Sequence, residues 1–445
     1  MKINTVLRTI ERIIEGLADA GGRYATGADT ILSGDIDIID ITLQSEDGNR
    51  RFSLMSICKT FEIFESILSP VIFAEFNIAD SSGIHETFPI IGEEYINITF
   101  KTPGADTPSN YLLRVNKLKD KTVNATHNLM TYTLACVSAE VMHNSTKHIS
   151  RRFNGNVSDM VREIITEELG SEKRLTIDPT HGIREELITR MQPLKAIDYL
   201  RRKAYSNQYI SSSFVFFENK HGYNFTTIEK LMHDGQRQFA AGASDKIFFF
   251  DRNAGVDNGN ISARNILAYN QLVFTDAVSR LQSGSITNRV SRLDLVTGNY
   301  TEVVYTDNEV ADRYRTIDEN AAGASTSSFT QTHGRSTAVT TFVTTNGDRP
   351  DDFAPDRIGI SQSFINKITQ NIVHIQIYGD SEISVGDTIR CSFPPAEDTD
   401  TGSGVSRLDS GNYLVAKVRH MVLNTDRPQH TMVLELIKGT LTETA

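Results

Sequence analysis

The sequence predicts a mainly β, α+β fold: two antiparallel β-barrel domains with a helical, α+β middle region inserted between them. Three observations carry this. Residues 35–140 consist of short runs rich in β-branched and aromatic residues, separated by turn signals. A second set of such runs follows residue 370. Between the two sets the apolar period changes from two to that of a helix. Several short antiparallel strands at even spacing suit a closed or nearly closed barrel, which leaves no free edge.

Residues 1–22 place Ile3, Val6, Leu7, Ile10, Ile13, Ile14 and Leu17 at helical spacing before Gly21-Gly22, an amphipathic N-terminal helix. The first barrel is assigned to 23–145, with strands in "DIDIIDITL" (35–43), 51–67, 69–80, 96–102, 110–120 and 129–139. Glu46-Asp47-Gly48-Asn49 and Ser81-Ser82-Gly83 supply turns. The middle α+β region is assigned to 146–310. There, 156–169 reads as a helix with Ser158 as N-cap and Val161, Ile164, Ile165 and Leu169 on one stripe. Pro193 opens a second helix with Leu194, Ile197, Leu200 and Ala204 facing inward. "SSFVFFENKHGYNFTTIEKLM" (212–232) reads as a hairpin turning at Asn219–Gly222, then a helix start. Phe214 and Phe216 point to one side of it, Val215 and Phe217 to the other, so both faces need cover.

Residues 260–281 read as helical, broken at Ser283-Gly284, and two strands follow, joined near Val296–Asn299. The small, polar tract within 311–355 reads as an extended arm or loop. The second barrel is assigned to 356–445, with a helix at 356–370 and a loop at 396–411.

Composition narrows the functional classes. The 445-residue chain carries a net charge of −11 and no Lys/Arg cluster, which argues against gripping nucleic acid. Cys58, Cys136 and Cys391 are far apart and odd in number, so neither a disulfide framework nor a zinc module is expected. No apolar run is long enough to span a bilayer. Ser56-Ile57-Cys58-Lys59 matches S-x-x-K, but on a strand the serine and lysine face opposite ways. Asp35, Asp37 and Asp40 lack the glycine and terminal glutamate of a calcium loop and read as a polar strand face. Glu167-Glu168 and Glu185-Glu186 read as solvated charge, and the histidines are scattered. The expectation is therefore a structural protein, not an enzyme, with no cofactor and no metal.

Four stretches then carry a resemblance. "AIDYLRRKAYSN", followed by "FVFFENKHGYNFTTIEKL", then "LQSGSITNRVSRLDLVTGNYTEVVY", and finally "GDSEISVGDTIRCSFPP" with "SGNYLVAKVRHMV", resemble the central baseplate hub proteins of T-even-type contractile-tailed phages. The chain is also similar to the hub-like part of type VI secretion spike proteins. The resemblance runs from about 150 to 440, and 35–140 fits the family's first barrel by pattern. The chain departs from the family in its N-terminal helix and in the length of the 319–354 tract.

The resemblance implies two β-barrel tube domains per chain and a homotrimer whose six barrels form a pseudo-sixfold ring. That ring is a symmetry adaptor joining the tail tube, or a tube-initiator protein, to a central spike, with baseplate wedge proteins around it. DNA passes through its channel during ejection without specific binding. The chain would be a virion structural protein of the tail baseplate, made in the host cytoplasm. On this reading Asp35, Asp37 and Asp40 are the candidate channel-facing residues, and Phe214, Phe216, Tyr223 and Phe225 the candidate interface residues. The alternatives are a receptor- or glycan-binding trimeric tail fibre module and a spike-associated lytic enzyme. Absence of tryptophan and of any repeat speaks against the former, and absence of a carboxylate or metal set against the latter.

Overall fold

The structure, a computed structural model, describes residues 32–81, 83–84, 88, 90–124, 129–209, 211–242, 246–250, 263–273, 287–306, 338–344, 361, 364–365, 368–369, 372–394, 405–406 and 409–438. The first block holds β1 (Asp37–Gln44), β2 (Arg51–Ser53), β3 (Cys58–Ser66), β4 (Phe73–Asp80), β5 (Tyr95–Lys101), β6 (Ser109–Asn124) and β7 (Leu129–Ser138). The middle holds α1 (Glu140–Thr146), β8 (Ile149–Gly155), α2 (Val157–Glu163) with a π-turn at Ile164–Glu168, β9 (Leu175–Ile177), β10 (Arg184–Met191) and α3 (Pro193–Arg201). The hairpin β11 (Phe214–Asn219) and β12 (Gly222–Thr227) and α4 (Ile228–Ala240) follow. Then come β13 (Ile247–Phe249), β14 (Ile266–Val273), β15 (Thr287–Asp294), β16 (Tyr300–Thr306) and β17 (Ala338–Thr344). The last block holds β18 (Ile372–Tyr378), β19 (Thr388–Ser392), β20 (Gly411–Leu423) and β21 (Gln429–Ile437).

The fold is mainly β and largely antiparallel, as expected, but the early and late strands are not separate sheets. They form one 13-stranded sheet in the order β14-β18-β21-β20-β3-β4-β7-β6-β5-β1-β2, with β19 and β13 branching from β20. The branch point explains the join. One edge of β20 is divided: Gly411–Leu414 pairs with β19, and Lys417–Leu423 pairs with β3, while β21 runs along the other edge. Single bridges, not ladders, bring the ends of each half back together. Asp35 meets Gln429 ahead of β1, and Phe249 at the end of β13 meets Asn265 ahead of β14. Among the described residues neither half is closed by a continuous ladder.

Each half nevertheless has its own core. The first packs Phe61, Phe76, Phe100, Tyr111 and Tyr132 among Ile and Leu side chains of β1 to β7. The second packs Ile375, Ile377, Ile389, Tyr413, Leu434 and Leu436 against Phe248, Ile228 and Met232. A third, smaller core lies in the middle region around Val161, Ile165, Ile197 and Leu200. The two-faced hairpin sits between the last two. Phe214, Phe216, Tyr223 and Phe225 enter the third core and Val215 and Phe217 the second, which is why neither face is polar.

Several local expectations change. Residues 266–273, read as helical, are strand β14, because the run pairs with β18. Asn156, not Ser158, precedes α2, and it makes no side-chain cap. Ser158 is buried, and its backbone N–H donates to Thr180 Oγ1 at 2.9 Å, so a hydroxyl distant in sequence does the work of a local cap. Within the 311–355 tract, the β-branched run 338–344 is strand β17, parallel to β15. The rest of that tract, the N-terminal helix and most of the 396–411 loop lie outside the described residues. Pro193 at the first turn of α3 and the helix start at Ile228 stand as read, the latter capped by Thr227.

Gly222 is needed for closeness as well as for its φ of +122°. A Cβ there would stand 2.2 Å from the Arg174 carbonyl oxygen, the acceptor for Tyr223 N–H. Gly222→Ala is therefore expected to lower stability by about 2–4 kcal/mol, combining overpacking with an unfavourable φ. A urea titration showing an unchanged midpoint would contradict this.

Candidate functional site

Strand alternation brings chemistry-bearing side chains inward at the joint where the lobes and the hairpin meet. On β3, Phe61, Ile63 and Glu65 share the inward phase, so a carboxylate is buried at 2% exposure. Its oxygens accept from four donors on three segments. Tyr111 Oη donates at 3.0 Å and Lys220 N–H at 3.2 Å to one oxygen. Ser384 Oγ donates at 2.9 Å and Val385 N–H at 3.1 Å to the other. Burial pushes the Glu65 carboxyl up, and these hydrogen bonds pull the other way. Burial, then the adjoining Glu65, pushes the Tyr111 hydroxyl well above its usual range. Burial lowers the Lys220 amine, whose ammonium donates to the Ser381 carbonyl.

A second carboxylate follows the same logic. Glu218 shares the phase of Phe214 and Phe216 on β11. It accepts from Ser138 Oγ and Lys173 Nζ, both at 2.6 Å. Lys173 also reaches Glu140 at 2.7 Å, and Glu140 accepts from Ser171 Oγ at 2.7 Å. Burial opposes the charge on Glu140, yet Lys173 and Ser171 hold its carboxyl below the usual range. The deeper Glu218 is pushed up by burial. Burial also works against the Lys173 ammonium, but the two carboxylates outweigh it and raise the amine. The cluster ties β7, α1, the segment before β9 and the hairpin together.

The lobes are further latched through their loops. Thr102 N–H and Ser381 N–H donate to one another's hydroxyls at 3.0 and 2.8 Å, and Ser109 Oγ donates to the Ser381 carbonyl at 2.9 Å. Arg419 on β20 forms a two-pronged pair with Glu62 on β3 at 2.8 and 3.0 Å across the strand junction.

The sequence-derived candidates fall as follows. Asp35 is paired with Arg427 through two hydrogen bonds of 2.9 and 2.7 Å. Asp37 is exposed and lies in register with Lys101. Asp40 lies off the core, accepting from Thr42 Oγ1 at 2.6 Å and Asn97 Nδ2 at 3.1 Å. Of these three acids Asp35 is ion-paired and Asp37 stands opposite a lysine in the strand register. Phe214, Phe216, Tyr223 and Phe225 are buried inside this chain as two stacked pairs, with centroids 4.9 and 5.4 Å apart. The interface they form is between two cores of one chain. Glu186, read as solvated, is buried and holds Lys203 at 2.6 Å. All three cysteines are buried, and burial pushes the Cys58 thiol up to about 12.

Sequence reasoning passed over Glu65, Glu218 and His420. Each stands at an inward phase among apolar residues on a strand, and that phase was the available signal. Among the described residues no group of three His, Cys, Asp or Glu side chains is placed to hold a metal ion. Nor is any helix there long and apolar enough to cross a membrane.

No protein-family model matches the chain, and no curated protein matches it. Solved structures do. A tail protein from Neisseria meningitidis MC58 aligns over 90% of this chain and 96% of its own, at 9% identity and a TM-score of 0.53. The 43 kDa tail protein of prophage MuSo2 from Shewanella oneidensis aligns over 90% and 98%, at 10% identity and a TM-score of 0.52. A more remote likeness, TM-score 0.40 and 10% identity over 92% of this chain and 79% of the other, is to E. coli c3393, a type VI secretion system component. At these identities the likeness is one of fold: the chain has the fold of phage tail proteins.

Removing the Glu65 carboxylate strands four donors at the joint. Glu65→Ala is expected to cost about 3–5 kcal/mol, and Glu65→Gln, which keeps one acceptor oxygen, about 1–3 kcal/mol. Urea unfolding at neutral pH measures both, and equal costs would contradict the assigned role.

Proposed function

We propose that this chain is a structural baseplate hub subunit of a contractile tail or a related injection machine. Three copies form a ring in which each contributes two lobes as tube domains, so that six lobes surround a channel with pseudo-sixfold symmetry. The ring joins the tail tube, or its initiator, to a central spike, with wedge proteins outside, and lets DNA pass without specific binding. It works by shape and attachment and catalyses nothing.

The observation that carries this reading is the joint between the lobes. Two separately cored β lobes lie side by side on one continuous sheet, held by the division of β20 between β19 and β3. Taken as two walls per chain, such lobes supply what a threefold arrangement needs if it is to meet a sixfold tube. The fold likeness to tail proteins over 90% of the chain supports the same reading. The sheet path ends at β2 and β14, and a closed ring of copies would cover such ends. Asp35, Asp37 and Asp40 are assigned to the channel side on this reading.

Sedimentation velocity of the full chain, alone and mixed with the spike protein of the same particle, tests the ring. The expected species has three times the 49.6 kDa chain mass, at least when the spike is present. A monomer under both conditions would remove the proposal.

A further inference from the structure

We propose that the His420–His430 pair is a proton-gated lock on the seam between the lobes: neutral, it holds the start of β21 in place, and protonated, it lets that end go. The inference rests on this chain's own packing and is independent of the ring.

His420 shares the inward phase of Val418 and Val422 on β20, and His430 stands at the start of β21. Both are fully buried. His420 Nδ1 and His430 Nε2 face each other at 3.1 Å, and the rings stack with centroids 5.3 Å apart. Phe100 meets both rings edge-on, at 5.9 and 5.7 Å. The remaining nitrogens, His420 Nε2 and His430 Nδ1, have no hydrogen-bond partner among the described residues. There is no spare space either: a Cβ on Gly379 would lie 1.9 Å from the His430 ring.

One N–H and one lone pair satisfy the facing nitrogens of the neutral pair, which leaves one outer N–H and one outer lone pair unpartnered but no buried charge. An added proton creates a buried cation without an acceptor. The groups around the pair do not help. From the hairpin loop comes Lys220, a like charge that opposes protonation of His420. From β5 and β6 come Phe100 and, stacked behind it, Tyr111. Glu65 on β3 is occupied by its four donors. Asp35 is held by Arg427, and Tyr378 lies against Gly34.

The seam bonds pass through this spot. His430 N–H donates to the Gly34 carbonyl at 2.7 Å, and Gly379 N–H to the His430 carbonyl at 2.8 Å. The Asp35–Gln429 bridge that returns the first lobe to β21 is one residue away.

Burial pushes both imidazoles down, His430 to about 3. The sign follows: with folded values depressed, the lock is whole above the unfolded value of about 6.5, and its contribution is lost as pH falls from there toward 3.

The test is amide hydrogen exchange of the full chain between pH 7 and 4, corrected for intrinsic rates. It compares wild type with the double variant His420→Asn, His430→Gln, whose amides reach the same facing positions. In wild type, the opening constant for peptides spanning 33–36 and 424–437 should rise about tenfold per pH unit for each linked imidazole, before the 214–227 hairpin opens. The double variant should lose that steepness. Equal pH dependence in both proteins, or a wild-type seam still closed at pH 4, would overturn the proposal. If the variant fails to fold, NMR of the wild type labelled with nitrogen-15 histidine decides: both imidazoles neutral at pH 5.5 while the seam is protected supports the lock. Ordinary titration near 6.5 with protection retained refutes it.

Discussion

The molecule depends on the division of one strand edge. β20 offers its first four residues to β19 and its last seven to β3, with β21 along its other side from Leu414 to Leu423. A strand has only two hydrogen-bonding edges, so the stretch of β20 given to β19 is closed to β3, and the reverse. That division joins the lobes, and an isolated bridge brings the ends of each half back together.

Such a joint must be sealed, because strand ends and loop backbones converge where water is excluded. Buried polar groups there cost free energy unless they are paired. The chain meets this with a few polar side chains at inward positions. Glu65 gathers donors from β6, the hairpin loop and the segment ahead of β19. Glu218 and Glu140 share Lys173 at the middle region. The Thr102–Ser381 exchange latches loops of the two lobes together. These contacts specify one register between the lobes more than they add net stability, since a sealed ion or amide roughly repays its own desolvation.

Much of the architecture was legible in the sequence. The strands of the first block, the Pro193 helix, the hairpin and the helix after it follow from local rules of alternation, capping and turn chemistry, which depend on neighbours in sequence. The hairpin's two apolar faces announced that it lies between two cores. The misreadings share a cause. Residues 266–273 and 338–344 became strands because partner strands were available, and Ser158 lost its capping role to Thr180, all through contacts remote in sequence.

By itself, then, the sequence determined the β-rich class, the two strand blocks with a helical interval, and the need to bury both sides of residues 214–217. Only the tertiary structure decided that the blocks share a sheet, that Glu65 is a four-donor hub, and that two histidines ten residues apart stack face to face. The physical reason is range. Periodicity reports which side of an element is apolar, whereas strand partnership and the satisfaction of a buried carboxylate or imidazole depend on residues hundreds of positions away, Val385 for Glu65 and Leu423 for Thr60 among them.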